Sequence, residues 1–163
     1  MMPTLLRAFA RRDEAVNEVM GYIMMFLLSA VVLVMSLQSF TASKESSEEI
    51  VATAEAQSLA NRVAGHLLEM SKAADEFPNA SYSVTFTVPE QIAGEPYYVE
   101  ATPASVAVET VSGSLRATSS TYKLDTIPGL TLGGRTHSGD GRIAIHYEKD
   151  ALGRKWLNVT GGS

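Results

Sequence analysis

The chain has 163 residues, enough for one modest domain with accessory segments, and its formal net charge is −5. This charge argues against a nucleic-acid-binding protein, which normally presents a basic patch. The absence of cysteine excludes disulfides, thiolate metal sites and thiol nucleophiles. Apolar residues are concentrated before position 40, and Gly, Pro, Ser and Thr after position 77, so the sequence predicts a helical front and a β-rich back.

The first predicted element is a membrane-spanning helix. No charged side chain lies between Glu18 and Lys44. A helix of this length, at about 1.5 Å per residue, crosses a hydrocarbon layer of about 30 Å. The rival interpretation is a cleaved secretory signal, whose apolar region is usually only about 7–15 residues long. The run here is longer, and the cleavage motif in SLQSFTASKE is weak, which favours a retained transmembrane helix.

The charges that flank this helix predict its orientation. Arg7, Arg11 and Arg12 precede it, whereas the acidic stretch SKESSEE follows it. Because positive residues stay on the cytoplasmic side, the N-terminus is expected in the cytoplasm and the rest of the chain outside.

Residues 44–77 are predicted to continue the helix in amphipathic form. Ser46 to Asp75 contain no proline and one glycine, Gly65, and Pro78 is expected to end the helix after Phe77. We expect the apolar stripe to pack on its own domain through residues 59–70, and partly on identical neighbours. The stripe repeats at spacings of four and three and consists of Ala52, Ala56, Leu59, Val63, Leu67 and Met70.

Residues 78–163 are predicted to form a β-rich extracellular head. The period-two stretch SYSVTFTV is followed by the short strands PYYVEA, ASVAVET and SLRATSSTYKL, and by a terminal hairpin of GRIAIHYEK and RKWLNVT. The stretch IPGLTLGGRTHSGDG is interpreted as a flexible surface loop. The fold class is therefore α+β, a long helix followed by a small antiparallel sheet that wraps it. The expected core residues are Tyr82, Phe86, Tyr98, Val106, Val108, Ile143, Ile145, Trp156 and Leu157.

The head shows no motif for catalysis, a metal or a cofactor. His66, His137 and His146 do not stand at ligand spacing, and LGGRTHSGDG lacks the spacing and closing Lys-Ser/Thr of a P-loop. His66 is expected to be a solvated residue of the helix. We therefore expect no enzyme and no cofactor. Two sequons, NAS at Asn79 and NVT at Asn158, lie in the part expected outside and are candidate glycosylation sites.

The stretch EAVNEVMGYIMMFLLSAVVLV resembles the N-terminal segment of archaeal type IV pilin-like proteins. Members of that family have a basic leader, a segment of the type Arg-Ala/Gly-Val-Ser-Pro/Glu-Val-Ile-Gly, and an apolar helix. Here AVNEVMG, residues 15–21, stands in the corresponding positions. The resemblance implies that residues 1–15 are a class III signal peptide, cut by a prepilin-type peptidase between Ala15 and Val16, and that the mature chain keeps its helix, residues 16–43. Asp13 and Glu14 replace the family's usual Arg or Lys, so a cut one or two residues earlier and an uncut membrane protein both stay open.

The resemblance also implies a function. The chain would be a major or minor pilin that leaves the cell membrane for an extracellular surface filament, used for adhesion or surface attachment. It would polymerise with itself or with co-pilins, helped by an assembly ATPase and a membrane platform protein. Glu18 would pair with the α-amino group of a neighbour, and Gly21 would let helices approach closely.

Two alternatives remain at this stage. Glu18 stands at the end of its span, where a carboxylate also fits in the headgroup layer without any assembly role. The chain as a whole also fits a non-polymerising single-pass membrane protein whose β head binds a partner in the envelope or the filament machinery.

Overall fold

The structure, a computed structural model, describes residues 3–77, 80–122, 124–150 and 152–162, with the side chains of residues 3–15 and 140 left out. Within these ranges the chain forms one helix, α1 (Pro3–Glu76), and eight strands. The strands are β1 (Tyr82–Thr87), β2 (Tyr97–Ala101), β3 (Ser105–Thr110), β4 (Arg116–Ser120), β5 (Leu130–Gly133), β6 (Arg135–His137), β7 (Arg142–Lys149) and β8 (Lys155–Gly161). The chain divides into two compact units, Met1–Ser47 and Glu48–Ser163.

The head, residues 48–163, is built around the last part of α1. The expected apolar stripe is buried in full, which confirms that residues 59–70 pack on their own domain. Ala52 and Ala56 are buried in the same core, so the expectation that part of the stripe packs on identical neighbours is wrong. On the same buried face of the helix, Ala52, Ala56, Ala60 and Ala64 repeat every four residues, and their small side chains let the sheets approach the helix closely. The helix ends at Glu76; Pro78, which was expected to end it, lies outside the described residues.

Two four-stranded sheets complete the core. The first has the order β1-β7-β8-β5, with antiparallel pairs except for the parallel pair β5–β8. The second has the order β4-β3-β2-β6 and is antiparallel throughout. Buried side chains from both sheets join the helix stripe in one cluster, including Tyr97, Val99, Val106, Val108, Ile143, Ile145, Tyr147, Leu157 and Val159.

Polar contacts also join α1 to the sheets. Lys155 Nζ lies 2.6 Å from Asp75 Oδ1, Gln57 Nε2 donates to the Thr118 carbonyl at 2.9 Å, and Tyr82 Oη donates to the Met70 carbonyl at 3.3 Å. Burial, followed by the nearby Tyr147 and Asp75, raises the pKa of Tyr82. The Lys155 and Tyr82 contacts hold the end of the helix against the first sheet, and the Gln57 contact joins an earlier turn to β4 of the second sheet.

Gly134 carries the chain from one sheet to the other. It separates β5, which pairs with β8, from β6, which pairs with β2, and its carbonyl accepts a hydrogen bond of 2.8 Å from the Ala101 amide. Its φ is 128°, and a Cβ atom here would overlap the Val159 carbonyl oxygen. Only glycine satisfies both conditions, because its φ is unrestricted and it has no side chain.

Four details of the predicted head are wrong. The stretch expected as a flexible loop contains β5 and β6, because TLGGRTH pairs on both sides of Gly134. The head consequently has two sheets and a parallel pair instead of one antiparallel sheet. The stretch SLRATSSTYKL forms strand only to Ser120, and a short 3-10 helix occupies Leu124–Thr126.

The fourth wrong detail is the assignment of two residues to the core. Tyr98 is only half-buried and Trp156 is 44% exposed, because Tyr97 and Leu157, their neighbours in the chain, take the inward positions. The other candidates lie in the core or pack against it: Val106, Val108, Ile143, Ile145 and Leu157 are buried, and Tyr82 and Phe86 are partly buried.

Candidate functional site

The first candidate site is the apolar surface of α1 in the front unit. From Val16 the helix is long and apolar enough to cross a membrane, and none of its most apolar window is buried. The large apolar side chains between Val16 and Phe40 are each 50–74% exposed. They lie on every side of the helix, and not along one stripe. A helix that is hydrophobic all round requires a membrane or a protein interior around it.

Three hydroxyl groups of this part of the helix are already satisfied by its own backbone. Ser29 Oγ donates to the Met25 carbonyl at 2.8 Å, Ser36 Oγ to the Val32 carbonyl at 2.9 Å, and Thr41 Oγ1 to the Leu37 carbonyl at 3.0 Å. In each case the acceptor lies one turn back, so the three donors need no water. The segment is thus chemically suited to a dry environment.

The predicted processing and assembly residues lie at the start of this segment. Val16 and Glu18 are exposed, and a Cβ atom added to Gly21 would meet nothing within 4 Å. The glycine is therefore not required by packing within the described chain, and it leaves a small notch on the helix surface. The backbone of Ala15 is helical, and its side chain lies outside the described residues.

The second candidate site is a groove on the outer face of the first sheet. Its volume is about 520 Å³, and it is lined by Thr131, Gly134, His146, Glu148, Trp156 and Asn158, among others. Trp156 on β8 stands opposite Glu148 on β7 and Thr131 on β5. In the next row, Asn158 stands opposite His146 and Gly133. The groove thus combines one half-exposed aromatic ring with polar groups on both sides.

The two sequons differ in what the structure describes. Asn158 is exposed in the middle of β8, on the outer face of the sheet. Asn79 lies outside the described residues.

The three histidines have different surroundings. His66, expected as a solvated helix residue, is half-buried: its ring lies 4.7 Å from the Phe86 ring, and its Nδ1 is 3.3 Å from Glu69 Oε2. His137 Nδ1 accepts a hydrogen bond of 3.0 Å from the Gly139 amide, and His146 lines the groove. Among the side chains that the structure describes, no group of three or more His, Asp or Glu is placed to hold a metal ion.

Sequence reasoning missed the groove because Trp156 was assigned to the core. The signal was present in RKWLNVT. In a strand, alternate residues share a face, so Trp156 has the same phase as Asn158 and Thr160, whereas Leu157 and Val159 have the opposite phase. Two aliphatic residues on the inner face and two polar residues beside the tryptophan place the indole ring outside.

The observations so far define a chain with an apolar helix of membrane-spanning length and a small α+β head. Residues 11–154 match a family described as a family of unknown function, DUF7266, and the chain belongs to this family. The match includes the apolar segment and the head up to the hairpin before β8. No curated protein and no solved structure matches the chain.

Proposed function

We propose that this protein is a structural subunit, a major or minor pilin, of an archaeal type IV pilus-like surface filament. The observation that carries the proposal is the exposed apolar surface between Val16 and Phe40 on a helix that continues into a folded head. The N-terminal resemblance supports it independently, since AVNEVMG stands where pilin-like proteins have their processing and assembly segment.

The same apolar surface suits two successive environments. In the bilayer it contacts lipid, and the hydroxyls of Ser29, Ser36 and Thr41 are satisfied within the helix. Outside the bilayer, only equivalent apolar surfaces can cover it, and identical helices from neighbouring copies provide them. Contacts between different faces of identical subunits generate an open helical filament when the rotation between neighbours does not close into a ring.

Glu18 sets the register of this assembly in our proposal. A carboxylate next to hydrocarbon is unfavourable unless a positive group accompanies it. After cleavage before Val16, each subunit begins with an α-amino group two residues from Glu18. Glu18 of one subunit then pairs with the α-amino group of the next, which offsets the burial of both charges and fixes their axial positions. The work of assembly comes from an ATPase and a platform protein in the membrane.

The experiment compares Glu18→Ala with Glu45→Ala, which removes an exposed carboxylate on the same helix after the apolar run. We expect Glu18→Ala to abolish incorporation into sheared surface filaments while the subunit still accumulates in the membrane fraction. Glu45→Ala should assemble normally. Filaments of normal abundance from Glu18→Ala cells would count heavily against the proposal.

A second function, a non-polymerising single-pass membrane protein with a partner-binding head, is favoured by Asp13 and Glu14 in the leader. The N-terminal residue of the chain isolated from its own cells separates the two functions. Val16 at the start supports cleavage by a prepilin-type peptidase, whereas Met1 or Met2 supports the anchored protein.

A further inference from the structure

We propose that the groove on the first sheet seats the first sugars of a glycan linked to Asn158, and that these sugars stack on Trp156. The ligand is part of the protein itself once the asparagine is modified. The inference requires the head to lie outside the cytoplasm, as the arginines before the apolar segment predict, and it does not require polymerisation.

The strand places acceptor and platform side by side. Trp156, Asn158 and Thr160 alternate with the buried Leu157 and Val159, so all three lie on the outer face of β8. Residues two apart in a strand are separated by roughly 6.6–6.8 Å, which is about the reach of one sugar ring. The burial of Leu157 and Val159 fixes which face of the strand points inward, so the other three side chains stay outside. The sequon Asn158-Val159-Thr160 therefore presents its amide directly beside the indole ring.

Two glycines leave room for the modified side chain. Gly133 stands opposite Asn158 in the parallel pair, and a Cβ atom at Gly134 would lie 2.5 Å from Asn158 Oδ1. A side chain at position 134 would thus occupy the place of the carboxamide. The groove that remains is about 520 Å³, within the range of about 300–1,000 Å³ usual for ligand sites.

The composition of the groove suits a saccharide. A sugar ring has an apolar face of C–H groups and a rim of hydroxyls. The half-exposed Trp156 ring offers an apolar surface for the face, while Glu148, His146 and Thr131 stand where they can bond the rim. A free sugar that stacks on a single indole ring binds only weakly. A covalently attached sugar meets the ring at an effective concentration in the millimolar range, so weak stacking suffices.

The covalent step is an ordinary glycosyl transfer. The Asn158 amide nitrogen forms a bond to the anomeric carbon of a glycosyl phosphate donor, the bond from that carbon to the phosphate oxygen breaks, and the nitrogen loses one proton. A cellular glycosyltransferase supplies the donor and performs the transfer; this chain supplies only the acceptor and the platform.

Trp156 is the single tryptophan of the chain, so its fluorescence reports on the groove alone. The experiment uses the full chain, extracted in detergent from its own cells, with glycopeptide mass spectrometry and acrylamide quenching. We expect a glycan on Asn158 of the wild type. Its loss in Asn158→Gln should raise the quenching constant about twofold, because one face of the ring becomes accessible. The matched control is Asn79→Gln, which removes the other sequon and should leave the quenching constant unchanged.

Thr160 provides a test that keeps Asn158 in place. Thr160→Ala destroys the acceptor sequence and should reproduce the quenching of Asn158→Gln, whereas Thr160→Ser retains the sequon and should match the wild type. A bare Asn158 in the native protein overturns the proposal. So does a glycan on Asn158 whose removal leaves the quenching constant unchanged, or changes it no more than Asn79→Gln does.

Discussion

The two parts of the long helix use apolar residues in opposite ways. Between Val16 and Phe40 the apolar residues are large, cover every side of the helix and are exposed. In the head, the buried face of the helix is a single stripe with an alanine every fourth residue. A helix packed by its own sheets buries only the face that meets them, and here alanines alternate with larger residues on that face. The front segment has no such restriction to one face.

This comparison shows that hydrophobicity alone does not reveal where a helix belongs. The stripe in the head stabilises the folded domain, and its contribution appears in the free energy of unfolding. Under the proposed function the front segment contributes to transfer into lipid or to association between copies, and its contribution appears only when one of these is measured. Substitutions in the two parts should therefore give separate phenotypes.

The largest expected effect comes from shortening a buried leucine of the head. Leu67→Ala removes a fully buried side chain and leaves a cavity, so the free energy of unfolding should fall by about 2–5 kcal/mol. Leu33→Ala, at a position that is 62% exposed in the front unit, should change it by less than about 0.5 kcal/mol. Urea denaturation in detergent, followed by Trp156 fluorescence, measures both. Equal losses from the two variants would mean that the front segment also stabilises the head.

The next effect concerns the crossing between the sheets. Gly134→Ala introduces a Cβ atom against the Val159 carbonyl at a φ of 128°, and overpacking together with backbone strain should destabilise the head by roughly 2–4 kcal/mol. The control is Gly129→Ala, where φ is 74° but nothing lies within 4 Å. That change should cost about 1–2 kcal/mol from the left-handed conformation alone. The difference between the variants isolates the clash. Membrane insertion should be normal in both, and a loss of insertion would contradict the separation of the two parts.

The sequence predicted most elements of this fold because their signals are local. The helix stripe at spacings of three and four and the strand of Tyr82–Thr87 depend on short patterns, and both occur. The two-sheet arrangement was not predicted, because it depends on Gly134, whose backbone conformation is imposed by β2 and β8. In the sequence, GG between the short apolar run LTL and the polar stretch RTHSGDG has the composition of a loop.

The candidate sites, like the fold, could be predicted only where their sequence signal is local. The apolar segment was predicted because a run of about 25 uncharged residues can be recognised without knowledge of the tertiary structure. Trp156 was assigned to the core because a lone tryptophan in a strand is usually buried. Its outward position follows from the phase of Leu157 and Val159, and the groove also requires β5, which the sequence did not predict as a strand. The roles of Ala15, Val16, Glu18 and Gly21 stay predictions, since they depend on other molecules.

The smallest expected effect is the difference in unfolding free energy between substitutions at two buried tyrosines of the head. Tyr97 Oη donates to the Pro89 carbonyl at 2.5 Å, whereas the buried Tyr147 Oη has no hydrogen-bond partner among the described residues. Tyr97→Phe should therefore cost about 1 kcal/mol of unfolding free energy, while Tyr147→Phe should be neutral or slightly stabilising, since it removes an unsatisfied polar group. The same urea denaturation measures both. A loss of 1 kcal/mol or more from Tyr147→Phe would reveal a partner for its hydroxyl.

Tyr97→Phe should also change how the free energy of unfolding depends on pH. Burial raises the pKa of Tyr97 from 10.0 to about 12, although the nearby Arg62 acts in the opposite direction. Below pH 10 both states keep the proton, so the stabilisation is fully present. Between pH 10 and about 12 the unfolded chain releases the proton first, and the free energy of unfolding falls by up to about 1.4 kcal/mol per pH unit. Tyr97→Phe should flatten this decline. A wild-type decline that persists unchanged in Tyr97→Phe would assign it to another group, such as Tyr82, whose pKa is also raised.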